Sequence, residues 1–437
     1  MISLIPSPKQ QDYPDNIITE GKYRGLNAIA LYGANASGKS NLLSAMNVLV
    51  RLIFRSAQAH STTLLPYNPF LLREGYDILP TKFEITFVVA KVRYRYGFEY
   101  KQTAVVSEYL FRKNQGREVL LFVRQEDVIE ASLGFKGSAK LINAAVEATR
   151  DNALFLSTCD MLNVKEAKKL LKWFNQFVFI NGIDRSEEVT STMHTWENHP
   201  EYREKIKDYL SALDLDIYDF DIRITEREQT TLPSNPDEII QTSLLAKFKN
   251  NKSYQTIVSH HFYGENGEKT NKKIPWKIEE ESQGTQKAFY LSGPILKTLI
   301  DGGLLVVDEL EAKVHPLITL NIVKLFLNKE TNPHNAQIIF ATHDTNLLTY
   351  AKLRRDQINF VEKNTWESSE VFALSDFKYF NPKDQKEYSE RIDADKEKRY
   401  LEGRYGAIPM LHSFVSKLSN TYGEKGKVSK KAGSEEG

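Results

Sequence analysis

The sequence predicts an α/β fold, with a parallel core sheet, an antiparallel β-subdomain and a mixed helical and β insertion. Three observations carry this. Asn27-Ala28-Ile29-Ala30-Leu31-Tyr32 is a short apolar run that leads into a glycine loop and then a helical repeat, the order of a buried parallel strand and its crossover. Two further short apolar runs, Gly303–Asp308 and Ala336–Ala341, repeat the strand pattern late in the chain. Between them, from Lys82 to Arg124, the period changes to two, as in half-buried antiparallel strands.

Taken in order, residues 1–26 carry Pro6, Pro8 and Pro14 among polar residues and read as an extended lead-in. After the glycine loop, Leu42, Met46, Leu49, Val50 and Ile53 recur at helical spacing, so a helix starts near Lys39 and runs to about Gln58. A proline-marked loop spans Ser61 to Pro80. Phe83, Ile85 and Phe87 then alternate with polar residues, and Tyr94, Tyr96, Phe98 and Tyr100 alternate after a turn at Ala90-Lys91. Val105–Arg112 and Glu118–Arg124 extend this into a meander. The Arg93-Tyr94-Arg95-Tyr96 alternation fits a half-buried strand better than an aromatic and basic nucleic-acid surface.

Glu126 to Asp214 reads as mainly helical, with Ala167, Leu170, Leu171, Phe174 and Val178 as one stripe of a helix over Lys165–Phe179. Strands return between Leu215 and Glu281, with Asn266-Gly267 in a hairpin loop. His260 and His261 are adjacent strand residues, so they point to opposite faces and do not chelate one metal. Gln357–Val361 and Val371–Leu374 read as strands, and Glu387–Leu401 as a charged helix. The lysine, glycine and serine content after Tyr422 reads as a disordered tail. The predicted divisions are an N-terminal core part (1–124), a mostly helical then β insertion (125–280), a C-terminal core part (281–410) and a C-terminal segment (411–437).

With Lys and Arg at 58 against Asp and Glu at 57, net charge gives no global pull toward nucleic acid. The single cysteine, Cys159, excludes a disulfide framework and a cysteine-rich metal site, and fits a reducing compartment. No apolar run approaches the roughly 18 residues of a membrane span. Met1–Pro6 lacks the pattern of a signal peptide, so a cytoplasmic location is expected.

Gly33-Ala34-Asn35-Ala36-Ser37-Gly38-Lys39-Ser40 fits G-x-x-x-x-G-K-[ST] between a strand and a helix, the context this motif requires. Backbone N–H groups and the positive helix end surround one anion there. Lys39 is placed for the β- and γ-phosphates of ATP, and the Ser40 hydroxyl for Mg2+. Asn41 follows directly. The strand ending in Asp308-Glu309 is expected beside the phosphate loop, with Asp308 supporting Mg2+ and Glu309 deprotonating the attacking water. His343, after the next strand, is placed to hydrogen-bond the γ-phosphate or the water. Glu281-Ser282-Gln283-Gly284-Thr285 opens a helix that runs to Leu299, a second anion site in which Ser282 and Gly284 need no lysine. Leu291-Ser292-Gly293 competes for that role, but Pro294 follows it directly and must kink or interrupt the helix.

Phosphate loop, serine–glycine helix start, acid-ended strand and strand-end histidine, in that order, resemble an ABC-type, SMC-like P-loop ATPase head. The resemblance implies that two heads sandwich two ATPs. Ser282 and Gly284 of one copy would then cap the γ-phosphate held by Lys39 of the other, with Leu310–His315 crossing the interface. Finer wording is similar to the AAA ATPases of bacterial abortive-infection systems, AbiL-type ATPase subunits among them. It lies in Gly33–Asn41, Glu281–Thr285, Asp308–Glu311, His315-Pro316, Thr342–Asp344 and Tyr400–Pro409. That resemblance implies anti-phage defence beside a separately encoded nuclease effector, RloB-like or TOPRIM-type, with a phage protein as trigger. It also implies a strand and an Asn-Phe-x-Ser-Phe stretch before Ser3-Leu4, where this chain begins. The implied Q-loop glutamine has two candidates, Gln115 and Gln125.

The competing expectations are an SMC- or RecF-like repair head that clamps DNA, a self-contained nuclease of the OLD kind, and a transporter head. No heptads are sustained, which argues against a long coiled-coil arm. Only 94 residues follow His343, too few for an added nuclease domain.

Overall fold

The computed structural model describes residues 1–182, 186–213, 215, 217, 219–226, 252–381 and 385–409. The chain opens with a hairpin, β1 (Ile17–Glu20) and β2 (Tyr23–Leu26), and enters the core as β3 (Ala28–Tyr32), followed by α1 (Lys39–Arg55). Every residue of β3 is buried, which is why its sequence is apolar throughout rather than alternating.

β4 (Thr81–Val89), β5 (Val92–Tyr100), β6 (Val105–Lys113), β7 (Val119–Gln125) and β8 (Val128–Ala131) form an antiparallel sheet in chain order. Its buried face carries Tyr94, Tyr96, Phe98 and Tyr100, packed with Leu49 and Ile53 of α1. Three helices, α2 (Ala139–Ala148), α3 (Phe155–Met161) and α4 (Lys165–Phe174), complete that core. Arg93 and Arg95 lie on the other face, paired with Glu118 and Glu84, so the alternation serves a half-buried strand.

Next come β9 (Phe177–Asn181), α5 (Ser186–Asn198) and α6 (Arg203–Ala212). β10 (Asp219–Glu226), β11 (Lys252–Tyr263) and β12 (Lys269–Lys277) make a three-stranded antiparallel sheet, with Gly267 at φ 81° in the expected hairpin. The core resumes with α7 (Gln283–Asp301), β13 (Leu304–Asp308), α8 (Pro316–Leu327), β14 (Gln337–Ala341) and α9 (Asn346–Tyr350). It closes with β15 (Ile358–Lys363), β16 (Ser369–Ala373), the hairpin β17 (Lys378–Asn381) and β18 (Lys386–Ser389), and α10 (Lys396–Leu401).

The central sheet has the order β16-β15-β3-β14-β13-β9, with β15, β3, β14, β13 and β9 parallel. This α/β head with its antiparallel subdomain is the fold class the sequence predicts. All five parallel strands therefore end on one edge of the sheet, which is where ligands bind in such folds.

Several expectations are corrected. β13 is not the neighbour of β3, because β14 lies between them, and the acids reach the phosphate loop across the end of β14. The helix read over Lys165–Phe179 stops at Phe174, and Val178 belongs to β9, a strand of the central sheet inside the segment read as an insertion. Its apolar residues satisfy helical spacing and a five-residue, largely half-buried strand equally well, and only the edge of β13 decides between them. Glu387–Leu401 is divided, since β18 occupies its start and α10 only its last third. The tail after Tyr422 lies outside the described residues.

α7 runs uninterrupted through Pro294. Proline deprives the Tyr290 carbonyl of its helical donor, and the Thr192 hydroxyl of α5 supplies one instead. Gly293 permits the approach, for a Cβ there would stand 2.5 Å from the Thr192 Cα.

Candidate functional site

The phosphate loop joins β3 to α1. Gly33 is packed so closely that a Cβ would lie 2.3 Å from the Val361 carbonyl oxygen, and Gly38 takes φ 106°, open mainly to glycine. α1 begins at Lys39 with no side-chain cap, so its first N–H groups face the loop. Ser369 Oγ donates to the Ser37 carbonyl at 2.7 Å and braces the loop from β16. Lys39 is buried and folds back, donating to the carbonyls of Gly33 at 2.8 Å and Ala34 at 3.1 Å. Burial pushes its ammonium below the ordinary lysine range, against the pull of Asp308, Glu311 and Glu309. Asn35, Ala36, Ser40 and Asn41 form the exposed rim.

Asp308 ends β13, and its Oδ1 is buried without a hydrogen-bond partner. Glu309 follows at φ 49°, a left-handed conformation that costs a non-glycine residue on the order of 1–3 kcal/mol. His343 follows β14 and is exposed; its backbone N–H donates to Glu311 Oε1 at 2.6 Å. Partial desolvation by neighbouring groups and the charge of Lys39 both lower the His343 pKa, opposed by Glu311, Glu309 and Asp308. The shift favours the neutral form of the His343 ring. The structure thus brings Lys39, Asp308, Glu309 and His343 into one electrostatic neighbourhood.

Among the described residues no group of three or more His, Cys, Asp or Glu could hold a metal ion. Mg2+ in phosphate sites takes one or two protein ligands and fills its shell with phosphate oxygens and water. The orphaned Asp308 oxygen and the Ser40 hydroxyl fit that donor set.

Ser282 caps α7, its Oγ accepting from the Thr285 N–H at 3.1 Å. Gly284 lies against the loop after β13, where a Cβ would stand 2.9 Å from the Lys313 carbonyl oxygen. Ser282 is exposed, whereas the competing Ser292 is fully buried and donates to the Phe289 carbonyl at 2.6 Å. Glu281 is held by the β11–β12 hairpin: His260 Nε2 lies 2.7 Å from its carboxylate, and Trp276 donates to the same oxygen. His260 thus faces a carboxylate, and the hairpin is tied to the residue before Ser282.

Gln125 ends β7 of the antiparallel sheet and Gln115 lies in the loop between β6 and β7; the strand that ends beside Asp308 is β9, whose Asn181 is in register with Asp308. Sequence reasoning missed Asn181, gave Glu311 no role of its own, and missed a buried contact behind them. Gly182 N–H donates to the Asp308 carbonyl at 2.8 Å, and a Cβ on Gly182 would stand 2.3 Å from the carbonyl oxygens of Asp308 and Glu309. Lys287 of α7, fully buried, donates to the Gly182 carbonyl at 2.6 Å and lies 3.6 Å from buried Glu188. A lysine beside Ala288-Phe289-Tyr290-Leu291 was the available signal. Its partners come from β9 and α5, about a hundred residues away.

In comparisons with known proteins, 72 residues are 32% identical to the uncharacterized protein SAB1265c of Staphylococcus aureus (strain bovine RF122 / ET3-1). That match covers 16% of this chain and 27% of the relative, so the chain spans about a quarter of that protein's length. Among solved structures, the SmcHead bound to the C-winged helix domain of ScpA is 12% identical, with 80% of this chain and 91% of that one covered at a TM-score of 0.34. The recombination mediator RecF with ATP is 14% identical, with 82% and 95% covered at 0.26. A family model matches residues 28–349, from the phosphate-loop strand past His343. On that match the chain belongs to the AAA-domain family described as putative AbiEii toxin, Type IV TA system.

Proposed function

We propose that the protein is an ATPase whose nucleotide-driven self-association controls a separately encoded effector of a defence or toxin–antitoxin system. The observation that carries the ATPase reading is the convergence of Lys39, Asp308, Glu309 and His343 at the ends of β3, β13 and β14, with one Asp308 oxygen left unbonded. The family description supports a partnered system; the nuclease class of the effector and a phage trigger come from the motif resemblance.

Residues 33–41 would hold the ATP phosphates, with Lys39 leaving the Gly33 and Ala34 carbonyls to reach the β- and γ-phosphates. Ser40 and Asp308 would hold Mg2+, which when bound neutralises charge on those oxygens. Glu309, next along the chain, takes the proton of the attacking water. In its neutral form His343 offers one ring N–H to the γ-phosphate side. Ser282 and Gly284 sit at a helix start suited to an anion, and two copies would bring that start against the partner's phosphate loop.

The test is Glu309→Gln with and without ATP and Mg2+, by light scattering coupled to size exclusion, with pulldown from lysate. Removing the base should trap ATP, raise the mass to a dimer or higher and recover a nuclease. A mass that stays fixed although ATP binds refutes the sandwich, and recovery of DNA alone refutes the effector reading in favour of a DNA clamp.

A further inference from the structure

Tyr400–Pro409 stands outside the site as described above, yet α10 touches both of its nucleotide-facing loops. The Tyr400 ring lies edge-on to Tyr32 at 5.6 Å and stacks on Phe360 at 5.5 Å. Tyr32 is the residue immediately before Gly33. The Tyr400 hydroxyl donates to the Ala407 carbonyl at 3.2 Å, which fixes the ring against Tyr32. One turn earlier, the Glu397 carboxylate accepts from Thr345 Oγ1 at 2.7 Å and Thr349 Oγ1 at 3.1 Å. Thr345 lies two residues beyond His343. The Tyr32 hydroxyl donates to the Asp344 carbonyl at 3.0 Å, which closes the circuit between the two loops.

The helix is itself fixed from behind. Buried Tyr405 donates to Glu390 Oε2 at 2.7 Å, Glu390 also pairs with Arg399 of α10, and the Ala407 N–H donates to Glu362 at 3.0 Å. The circuit grips the phosphate loop only at its entry, and the histidine loop only beyond the ring. Both nucleotide-facing segments stay free while their spacing is set.

We propose that α10 is a clamp, with Tyr400 and Glu397 as positioning residues that hold the phosphate loop and the His343 loop at the spacing at which Lys39 and His343 address one phosphate. The proposal rests on the ATPase reading above. It gives the motif a role in placing the γ-phosphate rather than in the stability of the chain end.

Tyr400→Leu removes the ring contacts with Tyr32 and Phe360 at the entry to the phosphate loop, so ATP affinity should fall about three- to tenfold. Glu397→Ala frees the histidine loop, so kcat should fall by a similar factor while ATP affinity stays within about twofold. Glu397→Gln, which keeps an acceptor for Thr345, should recover most of that loss. Thr345→Val should reproduce Glu397→Ala, and the double variant should be no worse than either single one. The assay is ATP binding and steady-state hydrolysis on the full chain, with Tm recorded for each variant. Variants that melt earlier but keep wild-type affinity and kcat would overturn the clamp and leave a structural role. A wild-type chain that binds no ATP overturns the ATPase reading itself, so the two failures are distinguishable.

Discussion

Lys287→Met tests the buried contact that joins α7 to the strand end carrying Asp308. The side chain keeps its length and loses its charge. Two consequences follow in the folded state: the Gly182 carbonyl loses its 2.6 Å donor, and Glu188 keeps a buried carboxylate without this cation. A buried carbonyl that loses its donor costs about 1–3 kcal/mol, and removing one partner of a buried ion pair costs up to about 3–5 kcal/mol. Removing the cation disfavours the charged form of Glu188, so the loss should grow with pH.

The sign is fixed. A carboxyl whose folded pKa is raised loses no stability below its unfolded pKa, and loses steadily more as pH rises toward the folded value. The variant's deficit relative to wild type should therefore be larger at pH 7.5 than at pH 5.5. Lys287→Met/Glu188→Gln should remove most of that pH dependence and leave the carbonyl's share. Urea unfolding followed by tryptophan fluorescence at the two pH values measures both. A deficit that is equal at pH 5.5 and 7.5, or a double variant that keeps the slope, would refute the pairing as the source of stability. Hydrolysis by the folded variant should also fall, because Gly182 abuts the Asp308 and Glu309 carbonyls.

Three further outcomes are expected. Asp308→Asn should leave the free protein as stable as wild type or more so, since it removes a buried, unbonded carboxylate oxygen, and should weaken Mg2+-dependent ATP binding in calorimetry. Hydrolysis should be flat above pH 7 and decline on the acid side of 6.5, because partial desolvation and Lys39 hold His343 below its ordinary value; in His343→Asn that acid limb should vanish from the pH–rate profile. Thr192→Val should cost about 1 kcal/mol in denaturant unfolding by removing the hydroxyl donor to the Tyr290 carbonyl, and much less in a Pro294→Ala background, where the helix supplies its own donor.

The sequence by itself determined the local chemistry. Gly33–Ser40 was legible because only a strand, a glycine loop and a helix in that order place N–H groups around a phosphate, and every constraint falls within a few dozen residues. Asp308, Glu309 and His343 were legible as strand ends, and Ser282 as a helix cap, since β13, β14 and α7 carry their own patterns. The antiparallel sheet was readable because alternation survives wherever one face stays wet.

What only the tertiary structure decided was adjacency. Whether β13 or β14 adjoins β3 is a matter of pairing between fully buried strands, whose apolar runs are interchangeable. β9 was hidden because a short apolar run directly after a helix continues its period until a partner edge claims it. The contacts of Lys287 with Gly182, and of Glu397 with Thr345, join residues 105 and 52 positions apart. A lone lysine or glutamate carries no local mark of such a partner. The physical reason is common to all of them: periodicity and motif spacing record short-range geometry, whereas burial of a polar group is settled by whatever distant segment satisfies it.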